Sequence, residues 1–226
     1  MSLLEYLYSR IKEAFEKRPY QFFTEHDIHS EISRISNKYL GQQSAEYGKT
    51  LDGYFVKRVH HEYPTPFRCL MPDDKFSIIL ESEYQKIREK RPGFRARRGW
   101  LDLVILNPEY IETNEYQIVT GKNYNMFREK LETRQPSALD LAIEIVHFNP
   151  QSFSISPGRV RNTIGYARQD YQKICAVADF RFDENVPFCK EAAMLYFAST
   201  EHKERLKAGL NRIKTIKDVP LLTIGL

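Results

Sequence analysis

The chain has 226 residues, of which 42% are hydrophobic and 28% are charged, so it can form one sizeable core with embellishments. The net charge of +4 comes from 34 basic and 30 acidic residues, which excludes a uniformly cationic coat, and the composition excludes disordered and collagen-like chains. The longest apolar run, 192–198, is far shorter than the ~20 residues of a membrane-spanning helix, and three scattered cysteines do not suit a disulfide framework. We therefore predict a cytoplasmic globular protein that does not act in a membrane.

Two amphipathic helices are predicted at the amino terminus, as a helical extension over residues 1–42. The first has apolar residues at i, i+4 spacing between Leu3 and Phe15. The second follows Thr24, a residue type that caps helix amino termini, and its isoleucines recur at helical spacing. A third helix is predicted over Gln43–Val59, where it would open a main domain covering residues 43–226.

After residue 59 the pattern changes to short runs rich in β-branched and aromatic residues, which indicate strands. HEYPTPFRCL (61–70) is predicted as an edge strand because it contains prolines, and WLDLVIL (100–106) and LDLAIEIVHF (139–148) as buried strands. An insertion over residues 107–137 separates the last two, with a hairpin around Gly121 and a short helix near Phe127–Leu131. A long helix over 160–178, a strand, a polar helix over 201–214 and a final strand follow. This order predicts an α/β fold in which a mixed central sheet carries helices on both faces.

Two carboxylates, Asp102 and Glu144, interrupt the buried strands, and an ionised side chain in a sheet interior is costly unless it is paired or binds a metal. Strand alternation puts Glu144 on the same face as Ala142, whose small side chain leaves room beside it. In one interpretation the two acids hold Mg²⁺ or Mn²⁺, which prefer oxygen ligands. In the other, Asp102 pairs with Arg97 or Arg98, and Glu144 pairs with another cation.

The runs GWLDLVI (99–105) and AIEIV (142–146) resemble the PD-(D/E)XK nuclease superfamily, which has the restriction-endonuclease-like fold. The resemblance covers roughly residues 43–198 and implies a core of one helix, three strands, a helix and a strand. It implies that Asp102 and Glu144 bind one or two divalent metals for phosphodiester hydrolysis. Many members add an acid from the first helix or strand, for which Glu62 is the best match and Glu46 a weaker one.

The chain departs from the family at the motif lysine. Members carry a lysine two residues after the third-strand acid, where it orients the attacking water and stabilises developing charge. Val146 occupies that position, so the group has moved elsewhere or the reaction has been lost. Lys173 in the long helix is the candidate replacement. A helical wheel places it nearly opposite the apolar stripe, which predicts a solvated ammonium unless that side faces DNA.

A basic segment leads into the Asp102 strand, with seven basic residues and one acid between Lys86 and Arg98. A local field of this kind attracts polyanions, although charge alone is more typical of a solvated loop. Because the segment runs directly into the Asp102 strand, its residues Arg95, Arg97 and Arg98 are the candidate contacts to a DNA backbone.

The leading hypothesis is a Mg²⁺- or Mn²⁺-dependent DNA endonuclease. Asp102, Glu144 and Glu62 would bind the metal, and Lys173 would complete the catalytic group. A homodimer would suit an enzyme that cuts both strands. Two alternatives stay open: a catalytically inactive nuclease-fold protein that binds DNA or supports assembly, and a structural protein whose two core acids are ion-paired.

Overall fold

The computed structural model describes residues 2–18, 24–70, 77–118, 123–132, 137–147, 157–198, 204, 208 and 219–225, without the side chains at 70, 77, 78, 98, 124, 129, 157–165, 183, 198, 223 and 225. Its helices are α1 (Leu3–Lys17), α2 (Glu25–Gly41), α3 (Glu81–Lys90), α4 (Pro108–Glu112), α5 (Tyr124–Leu131) and α6 (Pro157–Asp179). Its strands are β1 (Tyr47–Lys49), β2 (Phe55–Lys57), β3 (Val59–Leu70), β4 (Ser77–Leu80), β5 (Arg97–Leu106), β6 (Leu139–His147), β7 (Arg181–Asp183), β8 (Val186–Pro187), β9 (Cys189–Ala198) and β10 (Leu221–Gly225). None of the described helices combines the length and the apolar character needed to cross a membrane.

Six strands form one mixed sheet in the order β10-β9-β6-β5-β3-β4. The strands from β4 to β6 pair antiparallel with their neighbours, whereas β6, β9 and β10 run parallel to one another. Two short hairpins, β1–β2 and β7–β8, lie outside this sheet. The predicted mixed sheet is therefore confirmed.

Helices cover both faces of the sheet, as predicted. On one face α1 and α2 pack over Leu141, Ile143 and Ile145, and on the other α6 packs over Ala142 and Val146. This is the alternation that the sequence predicts for β6. The domain boundary at residue 42 stays a prediction, although α1 and α2 share their core with the sheet.

Helix α2 begins where the sequence predicts. The Thr24 side chain accepts a hydrogen bond from the Asp27 amide, and the Asp27 carboxylate accepts one from the Thr24 amide. This capping box satisfies two amide groups that the first turn leaves without helical partners. It fixes the start of α2, the helix that packs on strands β3, β5 and β6.

The helix predicted over Gln43–Val59 is wrong, because this segment forms the β1–β2 hairpin and the first residue of β3. The hydroxyl of Thr50 donates to Oδ1 of Asp52 at 2.6 Å and accepts from the Tyr54 amide at 2.9 Å, which closes a turn. Gly53 follows with φ of 92°, a conformation that favours glycine. Aromatic residues that would have formed the buried helix face are exposed instead: Tyr47, Tyr54 and Phe55.

The edge-strand prediction for residues 61–70 is correct in part. Strand β3 pairs with β5 along most of its length, and only Phe67–Leu70 also pair with β4. Pro64 and Pro66 precede that segment, so they remove no hydrogen bond to a second neighbour.

Arginine ion pairs attach peripheral elements to the sheet. Arg58 donates from Nε to the Leu106 carbonyl oxygen at 2.8 Å and pairs with Asp140, which holds the β1–β2 hairpin in place. Arg68 pairs with Glu81 at 2.6 Å and secures α3, a helix that the sequence analysis does not predict. Buried pairs of this kind are costly to break, because one charge is left without compensation.

In the insertion, α5 confirms the short helix predicted near residues 127–131, whereas α4 was not expected. The hairpin predicted around Gly121, and nearly all of the helix predicted over 201–214, lie outside the described residues. The long helix predicted over 160–178 is confirmed as α6.

Candidate functional site

Asp102 and Glu144 lie side by side where β5 and β6 separate. Backbone pairing between the strands extends to Leu103 and Ile143. Beyond that point the Ile145 amide donates to Oδ2 of Asp102 at 2.7 Å, so a side chain replaces a backbone partner. Glu144 is fully buried, and its carboxyl group is close enough to Asp102 for the two acids to influence each other's pKa. The structure thus brings together the two acids that the sequence singles out.

Helix α6 adds Lys173 and Asp170 to these acids. The Nζ atom of Lys173 lies 2.8 Å from Oε2 of Glu144 and 3.2 Å from Oδ1 of Asp170. Lys173 is only 8% exposed, so the prediction of a solvated ammonium is wrong. Ile174 and Val177 are fully buried, and Val177 is one turn after Lys173 on the same side of α6, so the covered face of the helix is wider than the predicted stripe and includes Lys173. Glu144 is therefore paired with a cation, as the second interpretation expects for it.

Helix α2 contributes Glu25 and His29, which sequence reasoning missed. Ligand atoms of Glu25, His29 and Asp102 all lie within 4.8 Å of one another. Burial, with His61 and His26 nearby, lowers the pKa of His29 to about 4, so its imidazole is neutral at neutral pH. The i, i+4 spacing of Glu25 and His29 was the available signal, but acids in a first helical turn are ordinarily explained by capping.

Glu62 lies across from Asp102 in β3, between the register pairs His61–Leu103 and Tyr63–Leu101. The sequence places it where a helix gives way to a strand, but it is the fourth residue of β3. Its φ of 48° is uncommon for a residue other than glycine, and strain of this kind clusters at functional sites. Its exposed carboxylate is not one of the three groups within 4.8 Å, yet it contributes to raising the pKa of Asp102.

The pKa values of the clustered acids are all raised. Burial, followed by the nearby Asp102, raises the pKa of Glu144 well above its ordinary value, and burial is the main cause of the raised pKa values of Asp102 and Asp170. The pKa of Glu25 rises to about 7 through burial and through Asp102 and Asp170. Burial opposes the charge of Lys173, but the surrounding carboxylates outweigh it and raise its pKa. Four acids thus share one ammonium among the described residues. A further positive charge nearby would favour the ionised form of each acid and lower its pKa.

The arginines proposed as DNA contacts lie away from these acids. Arg95 and Arg97 are exposed, and Arg95 donates to the Pro92 carbonyl oxygen at 3.1 Å. Arg97 begins β5, five residues before Asp102, which corresponds to about 17 Å along a strand. Pairing of Asp102 with Arg97 is therefore wrong, and the side chain of Arg98 lies outside the described residues.

Comparison of the chain with protein-family models, curated proteins and solved structures finds no match. Membership of the PD-(D/E)XK superfamily therefore stays a prediction.

Proposed function

We propose that this protein is a divalent-metal-dependent endonuclease that hydrolyses phosphodiester bonds of DNA on a restriction-endonuclease-like core. One observation carries the proposal. Carboxyl groups from β5, β6, α2 and α6 converge with one lysine and a neutral histidine: Asp102, Glu144, Glu25, Asp170, Lys173 and His29. Acids that serve only as ion-paired core groups would be matched by cations one for one.

The order of elements supports the assignment. Helix α2, strands β3, β5 and β6, helix α6 and strand β9 occur in this order along the chain, with shorter elements inserted between them, and their strands are adjacent in the sheet. This is the helix, three-strand, helix, strand order that the resemblance implies. In this assignment α2, which precedes residues 43–198, would replace the helix predicted over Gln43–Val59 as the first helix, and its Glu25 would be an acid at the first-helix position that the family often uses.

The donor set fits a hard divalent cation. Ligands bound at about 2.1 Å lie at most about 4.2 Å apart, so the three groups within 4.8 Å need to move only slightly to share an ion. Nε2 of His29 and Oε1 of Glu144 are buried, and neither has a hydrogen-bond partner among the described residues. Asp102, Glu144, Glu25 and His29 would hold the ion, and Glu62 would face it from β3. The ion, Mg²⁺ or Mn²⁺, would supply a Lewis acid beside the scissile phosphate.

Lys173 takes the role that the motif assigns to the position of Val146. Its raised pKa keeps it an ammonium, so it acts as a hydrogen-bond donor and a positive charge and not as a base. Contacts to Glu144 and Asp170 hold it beside the candidate ligands. From there it can orient the attacking water and offset charge that develops on the phosphate.

A second function is favoured by the same contacts. Lys173 is already engaged by two carboxylates, and Val146 is buried in the core. A protein in which this lysine only neutralises core acids would keep the fold and bind DNA without cutting it. The exposed Arg95 and Arg97 would then contact the backbone.

Nicking of supercoiled plasmid with Mg²⁺ or Mn²⁺ separates the two functions. We expect the wild type to nick the plasmid, and Asp102→Asn and Glu144→Gln to lose at least about a hundredfold in rate. Glu16→Gln, purified in the same way, is the matched control, because Glu16 lies exposed on α1. Equal nicking by all four proteins would indicate a contaminant, and binding without nicking by the wild type would favour the inactive protein.

A further inference from the structure

A groove of about 520 Å³ opens between the β1–β2 hairpin, β3 and the segment after α4. Its volume is in the ~300–1,000 Å³ range of small-ligand sites. Eight of its nineteen lining residues carry aromatic or imidazole rings, and four are aliphatic. Rings are therefore the largest group of side chains in the lining.

Two of these rings are exposed, and one of them, that of Tyr116, is also held by neighbouring groups. Phe55 is 72% exposed on β2, and Tyr116 is 44% exposed on the segment after α4. The Tyr116 amide donates to Oδ1 of Asp52 at 2.9 Å, and its ring lies 5.3 Å from that of Tyr54. Fixed rings lose little conformational entropy when a ligand stacks on them.

The groove borders the candidate metal site. Glu62 and His61 both line it. The ring of His61 stacks on that of His29 at 5.5 Å, with the two planes only 5° apart. His29 is itself a candidate ligand, so a chain in the groove would lead directly to the clustered acids.

The charges in the groove are balanced, with Lys57 and Lys130 against Glu62 and Glu115. A groove that tracked a phosphate backbone would carry an excess of basic residues. Ring stacking is therefore the main attraction that this surface can offer, and nucleobases are the part of a nucleic acid that stacks.

We propose that this groove binds unpaired nucleotides of the substrate strand by stacking their bases on Phe55 and Tyr116, next to the bond that is cut. The inference rests on the proposed function and narrows its substrate class to DNA with a single-stranded region. Balanced charge further implies that binding in the groove depends only weakly on salt.

The test is fluorescence anisotropy of a labelled ten-nucleotide oligothymidine and of a blunt ten-base-pair duplex, with Ca²⁺ in place of Mg²⁺. We expect the wild type to bind the single strand at least tenfold more tightly. Phe55→Ala and Tyr116→Ala should each weaken that binding at least about fivefold. Tyr47→Ala is the matched control, because Tyr47 is an exposed ring of the same hairpin that does not line the groove, and it should bind as the wild type does.

Equal binding by the groove variants and the wild type, or a preference for the duplex, would overturn the inference. So would a wild-type dimer, measured by light scattering, that Phe55→Ala converts to a monomer, because a second copy would then cover the groove. Plasmid nicking distinguishes the two proposals. If the wild type nicks plasmid but the groove variants bind as the wild type does, only the inference about the groove is wrong. If the groove variants weaken binding but the wild type does not nick plasmid, only the proposed endonuclease activity is wrong.

Discussion

Replacing Lys173 with methionine tests how tightly the candidate site is coupled. Methionine keeps most of the apolar stem, so the change removes the ammonium without leaving a large cavity. Glu144 is fully buried and Lys173 is 8% exposed, and removing one partner of a buried ion pair costs about 3–5 kcal/mol. We therefore expect the free energy of unfolding of Lys173→Met to fall by about that amount at pH 8 without metal. The loss should be smaller at pH 5.5, because the raised pKa of Glu144 lets that carboxyl take up a proton.

Urea unfolding of the wild type, both single variants and the Lys173→Met/Glu144→Gln double variant gives the coupling energy. We expect at least about 1.5 kcal/mol of coupling, because the double variant removes the fully buried carboxylate that Lys173→Met alone leaves without its ammonium. Lys17→Met is the control, because the Lys17 side chain is 70% exposed and its ion pair contributes under about 1 kcal/mol. A Lys173→Met cost equal to that of the control, with no coupling to Glu144, would refute the buried contact.

Three further predictions concern the pH dependence, the packing and the basic segment. Without metal, the contribution of Glu25 to thermal stability should be lost as the pH rises from about 5 through 7, because its pKa is raised to about 7 and the folded chain holds a proton that the unfolded chain has released. The difference in melting temperature between the wild type and Glu25→Gln should therefore change across this range, and a constant difference would contradict this. Gly99→Ala should lower the free energy of unfolding by about 1–3 kcal/mol in urea titrations, because its Cβ would lie 2.5 Å from Oγ1 of Thr65, and Thr65→Ala should recover part of the loss. Changing Arg95 and Arg97 to alanine should weaken DNA binding for every sequence. It should also reduce the slope of log binding constant against log salt concentration by about one per lost phosphate contact. An unchanged slope would show that neither arginine contacts DNA.

The centre of the site could be predicted because its residues break a pattern. An acid within a buried strand is conspicuous in sequence, and Asp102 and Glu144 were found in that way. Glu25 and His29 follow every rule for a capped surface helix, so nothing local separates a ligand from a cap. Lys173 was misplaced because the buried face of α6 is wider than the apolar stripe in its sequence: Val177, one turn after Lys173 on the same side, is fully buried.

The fold, like the site, could be predicted only where the sequence follows a regular pattern of buried residues. The mixed sheet and its covering helices follow from periodicity, since period-two runs and helical stripes each select one geometry. The segment Gln43–Val59 was predicted as a helix because its aromatic residues fall at helical spacing. Those residues face solvent and the groove, and the turn at Thr50 and Gly53 decides the structure. A prediction from hydrophobic periodicity assumes that apolar residues are buried, so it fails where, as here, they are exposed.

Anomalous scattering from crystals soaked in Mn²⁺ tests the central claim most directly. We predict a peak within about 2.4 Å of carboxylate oxygens of Asp102 and Glu144, with Glu25 or His29 completing the ligands, and loss of that peak in Asp102→Asn. A map without a peak at this position, with Lys173 still bound to Glu144 and Asp170, would show that the acids are a paired core cluster and would contradict the metal-dependent endonuclease.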